Sequence, residues 1–127
     1  MNNNKDLSNS NLIKILKSFS KDEILEFEKF VSSPVYNSQG TLVRLYAELK
    51  KFYPEFSDIE LSKDKLFDKV NPGKEYNDII FRKYMSNLLK LAEKYLIYLE
   101  YKTKPEKQSV NLLDQYDKRN LNGFYDK

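Results

Sequence analysis

At 127 residues, the chain is long enough to bury one modest hydrophobic core, and its 40% hydrophobic and 32% charged residues predict a folded globular domain. With 22 Lys and Arg against 19 Asp and Glu, the net charge of +3 is too small to steer the whole protein toward nucleic acid or anionic lipid. The absence of Cys and His excludes disulfides, thiol nucleophiles, zinc sites built from these residues and the commonest general base.

The N-terminal segment, residues 1–11, is polar and rich in Asn. The apolar stretch that follows is interrupted by Lys14 and Lys17, so it lacks the continuous apolar core of a secretory signal peptide. No apolar run approaches the length needed to span a membrane. We therefore expect a cytoplasmic protein that does not associate with membranes.

Two amphipathic helices are predicted next. Apolar residues over 12–19 follow helical spacing, and either Ser8 or Ser10 can cap this first helix. Ser20 and Glu23 have the spacing of a capping box, in which each side chain binds the backbone N–H of the other residue. A second helix therefore begins after Ser20 and must end before the following proline.

Two further helices follow, and a turn signal ends each of them. Apolar residues over 42–53 keep helical spacing, and Pro54 ends that run. Ser62 can cap a short fourth helix with apolar residues over 66–70, which the Asn-Pro-Gly turn at 71–73 closes.

The longest predicted helix begins at its N-cap, Asn77, and extends to Tyr101. Its central apolar stripe, spaced by four and three residues, consists of Phe81, Met85, Leu88, Ala92, Tyr95 and Leu99. Flanking residues widen the apolar face, namely Ile80, Tyr84, Leu91, Leu96 and Tyr98. A helix with so wide an apolar face needs several neighbours, so we expect it at the centre of a bundle.

A last helical pattern follows Pro105 and runs from Val110 to Phe124. The sequence stops at Lys127 without a recognisable helix C-cap. We therefore expect this segment to continue into a longer native protein, of which the chain is the N-terminal piece.

The predicted fold is all-α, a bundle of five or six helices around one long central helix. We expect residues 12–102 to form the bundle domain and residues 103–127 to form a linker and an additional C-terminal helix. No alternating apolar and polar run is long enough to predict a strand.

The sequence offers no catalytic or metal site. Asp22 and Glu26 lie one helical turn apart, but such a pair is typical of a solvated helix face. The loop over 68–79 has the length of a calcium loop, yet Val70 and Pro72 stand where oxygen ligands are needed. We predict a non-enzymatic protein without a cofactor or small-molecule ligand.

Polar and basic side chains predict one candidate nucleic-acid surface at the start of the long helix: Arg82, Lys83, Ser86, Asn87 and Lys90. Residues 62–104 carry ten basic and six acidic side chains, a net charge of +4 that suits phosphate contacts. A solvated helix face would carry the same residues, so both interpretations stay open.

A candidate protein interface is predicted near the C-terminus, formed by Tyr98, Tyr101, Leu113 and Tyr116. Tyrosine rings on a surface are typical of protein interfaces. Half-buried packing, with only the hydroxyl in water, is the alternative interpretation for most of the ten tyrosines.

A local resemblance is carried by Leu66, Phe67, Asp68, Val70, Pro72, Phe81, Arg82, Ser86, Leu89 and Lys90. This stretch resembles the recognition half of the winged-helix domain in bacterial response regulators and pathway-specific activators. The resemblance implies that Arg82, Lys83, Ser86 and Lys90 would face DNA. Asn71 departs from the aromatic residue usual there, and the predicted helix continues where a β-hairpin wing should begin.

A second resemblance covers nearly all of the chain and is carried by Phe27, Phe30, Ser33, Pro34, Asn37, Tyr53, Pro54, Leu66, Phe67, Pro72, Gly73, Tyr76, Asn77, Arg82, Met85, Ser86, Leu88, Leu89 and Lys90. These residues resemble the N-terminal region of a family of long helical bacterial proteins with no assigned activity. The resemblance implies a helical protein and names no reaction.

The leading prediction is a protein-interaction or scaffolding module at the N-terminus of a larger helical bacterial protein, whose partner is another protein or the remainder of that longer chain. The alternative is a helix-turn-helix module of a regulatory protein that binds nucleic acid.

Overall fold

The structure of the protein is a computed structural model that describes Leu7, residues 9–121 and Gly123. Within these residues the chain forms six α-helices and no strand, so the expected all-α bundle with one long helix is confirmed. The helices are α1 (Asn11–Ser18), α2 (Lys21–Ser32), α3 (Gly40–Leu49), α4 (Lys63–Val70), α5 (Asp78–Tyr101) and α6 (Pro105–Lys118). The residues fall into two compact units, one up to Glu93 and one from Lys94, and α5 runs through the division.

The first two helices begin at caps that the sequence predicts. The Ser10 hydroxyl accepts a hydrogen bond of 3.1 Å from the backbone N–H of Ile13. At α2, the Ser20 hydroxyl accepts from the Glu23 N–H at 3.1 Å, and Glu23 Oε1 accepts from the Ser20 N–H at 2.8 Å. Each bond satisfies a backbone donor that the first turn leaves unpaired, which stabilises a helix by about 1 kcal/mol.

The start of α4 differs from the prediction, whereas the start of α5 agrees with it. The Ser62 hydroxyl donates a hydrogen bond of 2.9 Å to Asp64 Oδ1 and does not cap the helix. The Asp64 carboxylate accepts instead from the backbone N–H of Lys65 at 3.0 Å. At α5, Asn77 Oδ1 accepts from the backbone N–H of Ile80 at 3.0 Å, as predicted.

Helix α3 ends earlier than the apolar spacing predicts. The α-helix stops at Leu49, and a single 3₁₀ turn, Lys50–Phe52, completes the predicted run before Pro54. A 3₁₀ turn is common at the C-terminal end of an α-helix that precedes a helix-breaking residue such as proline. The tighter turn pairs backbone carbonyls that would otherwise lack a hydrogen bond.

Helix α3 is the shared element of the N-terminal unit, because it packs against both α2 and α4. The buried hydrophobic residues of this unit are Leu7, Leu12, Ile13, Leu16, Phe19, Ile24, Phe27, Phe30, Val31, Leu42, Leu45, Tyr46, Leu49, Phe56, Leu61, Leu66, Phe67, Val70, Phe81, Leu88, Leu91 and Ala92. The ring of Phe27 lies at the centre of an aromatic cluster, with its centroid 5.7 Å from that of Phe19 and 4.9 Å from that of Tyr46.

Two core residues lie in segments that the sequence marks as polar or connecting. Leu7 is buried although residues 1–11 are mostly polar, and its carbonyl accepts a 3.0 Å hydrogen bond from the Ser10 N–H. Phe56, between α3 and α4, is buried with a φ of 50°, in the left-handed region. This backbone costs on the order of 1 kcal/mol for a residue other than glycine, and burial of the phenyl ring offsets that cost.

The wide apolar face predicted for α5 is only partly buried. The central stripe is enclosed at Phe81, Leu88, Ala92 and Tyr95. Of the flanking residues, Leu91 is buried, but Ile80, Leu96 and Tyr98 remain exposed. The prediction is therefore correct for four of the six stripe residues and for Leu91 beside them, whereas Met85 and Leu99 are only half-buried.

Helix α6 begins with Pro105 in its first turn and is shorter than predicted. It ends at Lys118, whereas the apolar pattern continues to Phe124, which lies outside the described residues. The last helix of the prediction is therefore present, with a different C-terminal boundary.

Helix α6 ends at a C-terminal cap that the sequence prediction did not include. Asn120 has a φ of 59° and donates its N–H to the carbonyl of Asp117 at 3.2 Å. The N–H of Leu121 reaches back to the carbonyl of Tyr116 at 2.7 Å. These two bonds form a Schellman motif with Asn120 in the left-handed position, where asparagine is the usual substitute for glycine.

Candidate functional site

The predicted nucleic-acid surface lies on one side of α5. Arg82, Ser86 and Lys90 follow one another at intervals of four residues, and Lys83 and Asn87 form a neighbouring pair at the same interval. Asn87 is half-buried and the other four side chains are exposed. The five residues therefore form one polar strip along the first half of the helix.

An acidic side chain stands at the start of this strip. Asp78 Oδ2 lies 2.9 Å from Arg82 Nε, and Asp78 Oδ1 accepts a hydrogen bond of 2.7 Å from the Tyr76 hydroxyl. The Tyr76 hydrogen bond, followed by the charges of Arg82 and Lys63, holds the pKa of Asp78 below its usual value. The ionised carboxylate offsets the charge of Arg82, so the positive charge of the strip rests mainly on Lys83 and Lys90.

The residues that carry the winged-helix resemblance lie on α4, the connecting turn and the first half of α5. Helix α5 then continues without a break to Tyr101, and the next element is α6. Among the residues that the structure describes, no strand occupies the place of a hairpin wing. In this arrangement the helical strip would contact DNA without a wing beside it.

A cleft of about 270 Å³ opens beside the N-terminal end of α5, lined by Phe67, Asn71, Lys74, Glu75, Asn77, Ile80 and Tyr84. The rings of Phe67 and Tyr84 stack with centroids 6.3 Å apart, and Asn71 Nδ2 donates to the Tyr84 hydroxyl at 3.1 Å. Lys74 and Glu75 are both exposed and carry opposite charges, so the cleft favours neither anions nor cations. The hydrogen bond between Asn71 and Tyr84 connects the turn after α4 to α5, so these two lining residues have a structural role.

The predicted protein interface falls in the C-terminal unit, where Tyr98 lies at the surface. Its ring stacks on that of Tyr95, with centroids 6.2 Å apart, and the Lys102 ammonium lies 5.3 Å from its centroid. The Tyr98 ring is therefore partly covered by its own helix.

Tyr101 connects the end of α5 to α6. Its hydroxyl accepts a hydrogen bond of 3.2 Å from Asn111 Nδ2, and its carbonyl accepts one of 3.0 Å from Gln108 Nε2. The side chain is half-buried by this arrangement. Gln108 and Asn111 thus mark the side of α6 that faces α5.

Helix α6 buries none of its 14 residues. Val110, Leu112 and Leu113 are 56%, 51% and 39% exposed, and Tyr116 is half-buried. We call these four residues the α6 apolar face. The structure thus brings the predicted Leu113 and Tyr116 together with two apolar residues of the same helix.

The sequence prediction missed Val110 and Leu112 as members of this surface, and it missed the carboxylates beside them. Glu106 lies four residues before Val110, and Asp117 lies four residues after Leu113. The spacing of four, three and four residues places Glu106, Val110, Leu113 and Asp117 on one line along a helix, and this spacing was readable in the sequence.

Comparison with protein families, with curated proteins and with solved structures finds no match to this chain. In the described part of the chain, no group of three or more Asp, Glu, His or Cys side chains is placed to hold a metal ion. No helix in these same residues combines the length and the apolar character needed to cross a membrane.

Proposed function

We propose that the chain is a protein-interaction module and that its binding surface is the α6 apolar face. The observation that carries this proposal is that α6 exposes Val110 and Leu113, three residues apart on one side of the helix, while burying no residue at all. Adjacent apolar side chains on a helix surface mark sites of association, because water disfavours them until a partner covers them.

The rest of the chain supports a role as a platform for that helix. The N-terminal unit has its own hydrophobic core, and none of the described side-chain polar atoms in the interior lacks a hydrogen-bond partner. An exposed apolar helix is suited to recognition by helix packing, in which each Å² of apolar surface covered contributes about 25 cal/mol.

The titratable groups that the fold perturbs most also support a non-catalytic role. Burial is the main cause that raises the pKa of both Tyr46 and Tyr76 above the usual value for tyrosine. The Tyr46 hydroxyl donates to the carbonyl of Ile24, and the Tyr76 hydroxyl donates to Asp78. Both hydroxyls therefore hold helices and turns in place, and the raised pKa of each tyrosine keeps its hydroxyl protonated.

The test is site-specific photo-cross-linking in cells that produce the protein, with a photoreactive phenylalanine analogue at Leu113. The matched control is the same analogue at Lys118, an exposed residue of α6 roughly 140° around the helix from Leu113. We expect one discrete protein adduct at Leu113 and none at Lys118. No adduct at Leu113, or the same adducts at both positions, would contradict the proposal.

A second candidate function is nucleic-acid binding through the α5 strip, favoured by the shared exposure of Arg82, Lys83, Ser86 and Lys90. The test is fluorescence anisotropy of labelled duplex DNA at low and moderate salt, with a triple variant in which Arg82, Lys83 and Lys90 become Ala. Salt-sensitive binding that the variant loses would support this function. No binding at low salt would eliminate it.

A further inference from the structure

The cleft beside the N-terminal end of α5 offers an aromatic and aliphatic surface to a ligand. Phe67 is buried, and its ring lies nearly parallel to that of Tyr84, with an angle of 15° between the two planes. Tyr84 is half-buried and Ile80 is 41% exposed, and both line the cleft. A planar ring that enters the cleft would therefore meet aromatic and aliphatic neighbours, and these are contacts that aromatic rings make favourably.

A tight turn after α4 holds the rim of the cleft in place. The Lys74 N–H donates to the carbonyl of Asn71 at 3.1 Å, and Gly73 has a φ of 80°, which glycine adopts without steric cost. Pro72 restricts the backbone at the preceding position. Asn71 Nδ2 also binds the Tyr84 hydroxyl, so the backbone that carries Lys74 is fixed relative to α5.

Two opposite charges stand at this rim. Lys74 and Glu75 are consecutive in the sequence, both line the cleft, and both are exposed. The nearby ion pairs join Asp78 to Lys63 and to Arg82 and involve neither rim residue. A ligand with a single charge would be attracted by one rim side chain and repelled by the other. A ligand with both an ammonium and a carboxylate can pair each group with the opposite charge.

The volume of the cleft limits the ligand to about one ring with a short charged end. It is about 270 Å³, just below the range of about 300–1,000 Å³ that is typical of pockets for drug-sized molecules. We propose that the cleft binds a free aromatic amino acid. The ring packs against Ile80 and Tyr84, the carboxylate pairs with Lys74, and the ammonium pairs with Glu75. This site differs from the sequence-based expectation of no small-molecule ligand, and it does not rest on the function proposed for α6.

The test uses the full chain and L-tryptophan as the probe, because the chain contains no Trp of its own. Excited at wavelengths that tyrosine does not absorb, the probe alone emits, and its fluorescence anisotropy reports binding as the protein is titrated in. We expect saturable binding with a Kd of about 1 mM or tighter. N-acetyl-L-tryptophanamide keeps the ring but lacks both charges, so it should bind about tenfold more weakly. L-phenylalanine should displace the probe, whereas L-alanine, which has both charges and no ring, should not.

Variants of the chain assign the binding to the cleft. The double variant Lys74→Gln with Glu75→Gln should bind L-tryptophan only as weakly as the uncharged analogue, since the ring contacts remain. Both side chains are exposed, so the Tm should change little. The matched control, Lys29→Gln with Glu55→Gln, removes one exposed base and one exposed acid that do not line the cleft, and it should keep the full affinity.

The outcomes separate this ligand from the alternatives. No saturable binding of L-tryptophan, or an unchanged affinity in the Lys74 and Glu75 variant, would overturn the proposal. Equal affinity for L-tryptophan and its uncharged analogue would overturn it as well, because the cleft would then recognise only a ring, such as an aromatic side chain of a partner protein. Cross-linking at Leu113 tests the proposed function independently of all these results.

Discussion

The hydroxyl of Tyr46 on α3 donates a hydrogen bond of 2.8 Å to the carbonyl of Ile24 on α2, within the buried core. The bond joins two helices through residues 22 positions apart in the sequence. We expect Tyr46→Phe to lower the free energy of unfolding by about 1 kcal/mol, because the ring still packs and only the hydrogen bond is lost. Urea denaturation measures the change, and an unchanged stability would contradict a contribution from this bond.

The same tyrosine predicts a loss of stability at alkaline pH. Burial, and to a smaller extent the Glu28 carboxylate, raises the pKa of Tyr46 in the folded state. Above pH about 10, Tyr46 therefore ionises in the unfolded chain while it stays protonated in the folded one, and this difference favours unfolding. Phenylalanine cannot ionise, so the stability difference between the wild type and Tyr46→Phe should shrink between pH about 8 and about 11. A constant difference would contradict the raised pKa.

The aromatic cluster predicts the largest effect of a single core substitution. Phe27→Ala removes a buried ring that contacts Phe19 and Tyr46, and it should cost about 3–5 kcal/mol of unfolding free energy. Leu25→Ala on the same helix is the control, because Leu25 is 51% exposed and should cost less than about 1 kcal/mol. Equal losses in the two variants would contradict the assigned core.

The carboxylate of Asp78 predicts a stability change at acid pH. Its pKa is lowered in the folded state, first by the Tyr76 hydrogen bond and then by nearby positive charge. The stabilisation is therefore present above the pKa of the unfolded chain, about 3.9, and is lost as the pH falls through the lower folded value. We expect Asp78→Asn to lower the Tm at neutral pH, with a difference that decreases below pH about 4. A difference independent of pH would contradict an ionic contribution.

The α6 apolar face predicts a variant that separates binding from folding. Replacing both Val110 and Leu113 with Ser should change the free energy of unfolding by less than about 1 kcal/mol, since neither side chain is buried. The same two substitutions should abolish the adduct formed by the photoreactive analogue placed at Tyr116, because the apolar contact with the partner is lost. Urea denaturation and photo-cross-linking measure the two effects. A large loss of stability would show that these side chains support the fold.

Local signals in the sequence were sufficient to predict the caps of three of the six helices. The successful caps bind backbone N–H groups no more than four residues away in the sequence, so they can be predicted without knowledge of the fold. They are Ser10, the pair Ser20 and Glu23, and Asn77. Ser62 does not cap α4, and its hydroxyl instead donates a hydrogen bond to the neighbouring carboxylate of Asp64. Competition between two short-range partners is not resolved by spacing alone.

Burial was harder to predict, because it depends on neighbours that are distant in the sequence. Leu7 and Phe56 are enclosed although they stand in polar or connecting segments, whereas Ile80 and Leu96 on the most apolar helix remain exposed. For the candidate site, the pattern predicted a last helix with Leu113 and Tyr116 on its surface. The sequence did not predict that Val110 points away from α5. That direction follows from the hydrogen bonds of Gln108 and Asn111 to Tyr101, which identify the side of α6 that faces α5.

The absence of buried residues on α6 also determines how that helix should exchange its amide hydrogens. A helix of 14 residues is marginal in water when tertiary packing contributes little, so its amides should exchange through local opening. Amides of α3, packed between α2 and α4, should exchange only when the N-terminal unit unfolds as a whole. Binding of a partner to α6 would then slow exchange in α6 alone, and part of the binding free energy would go into holding the helix closed.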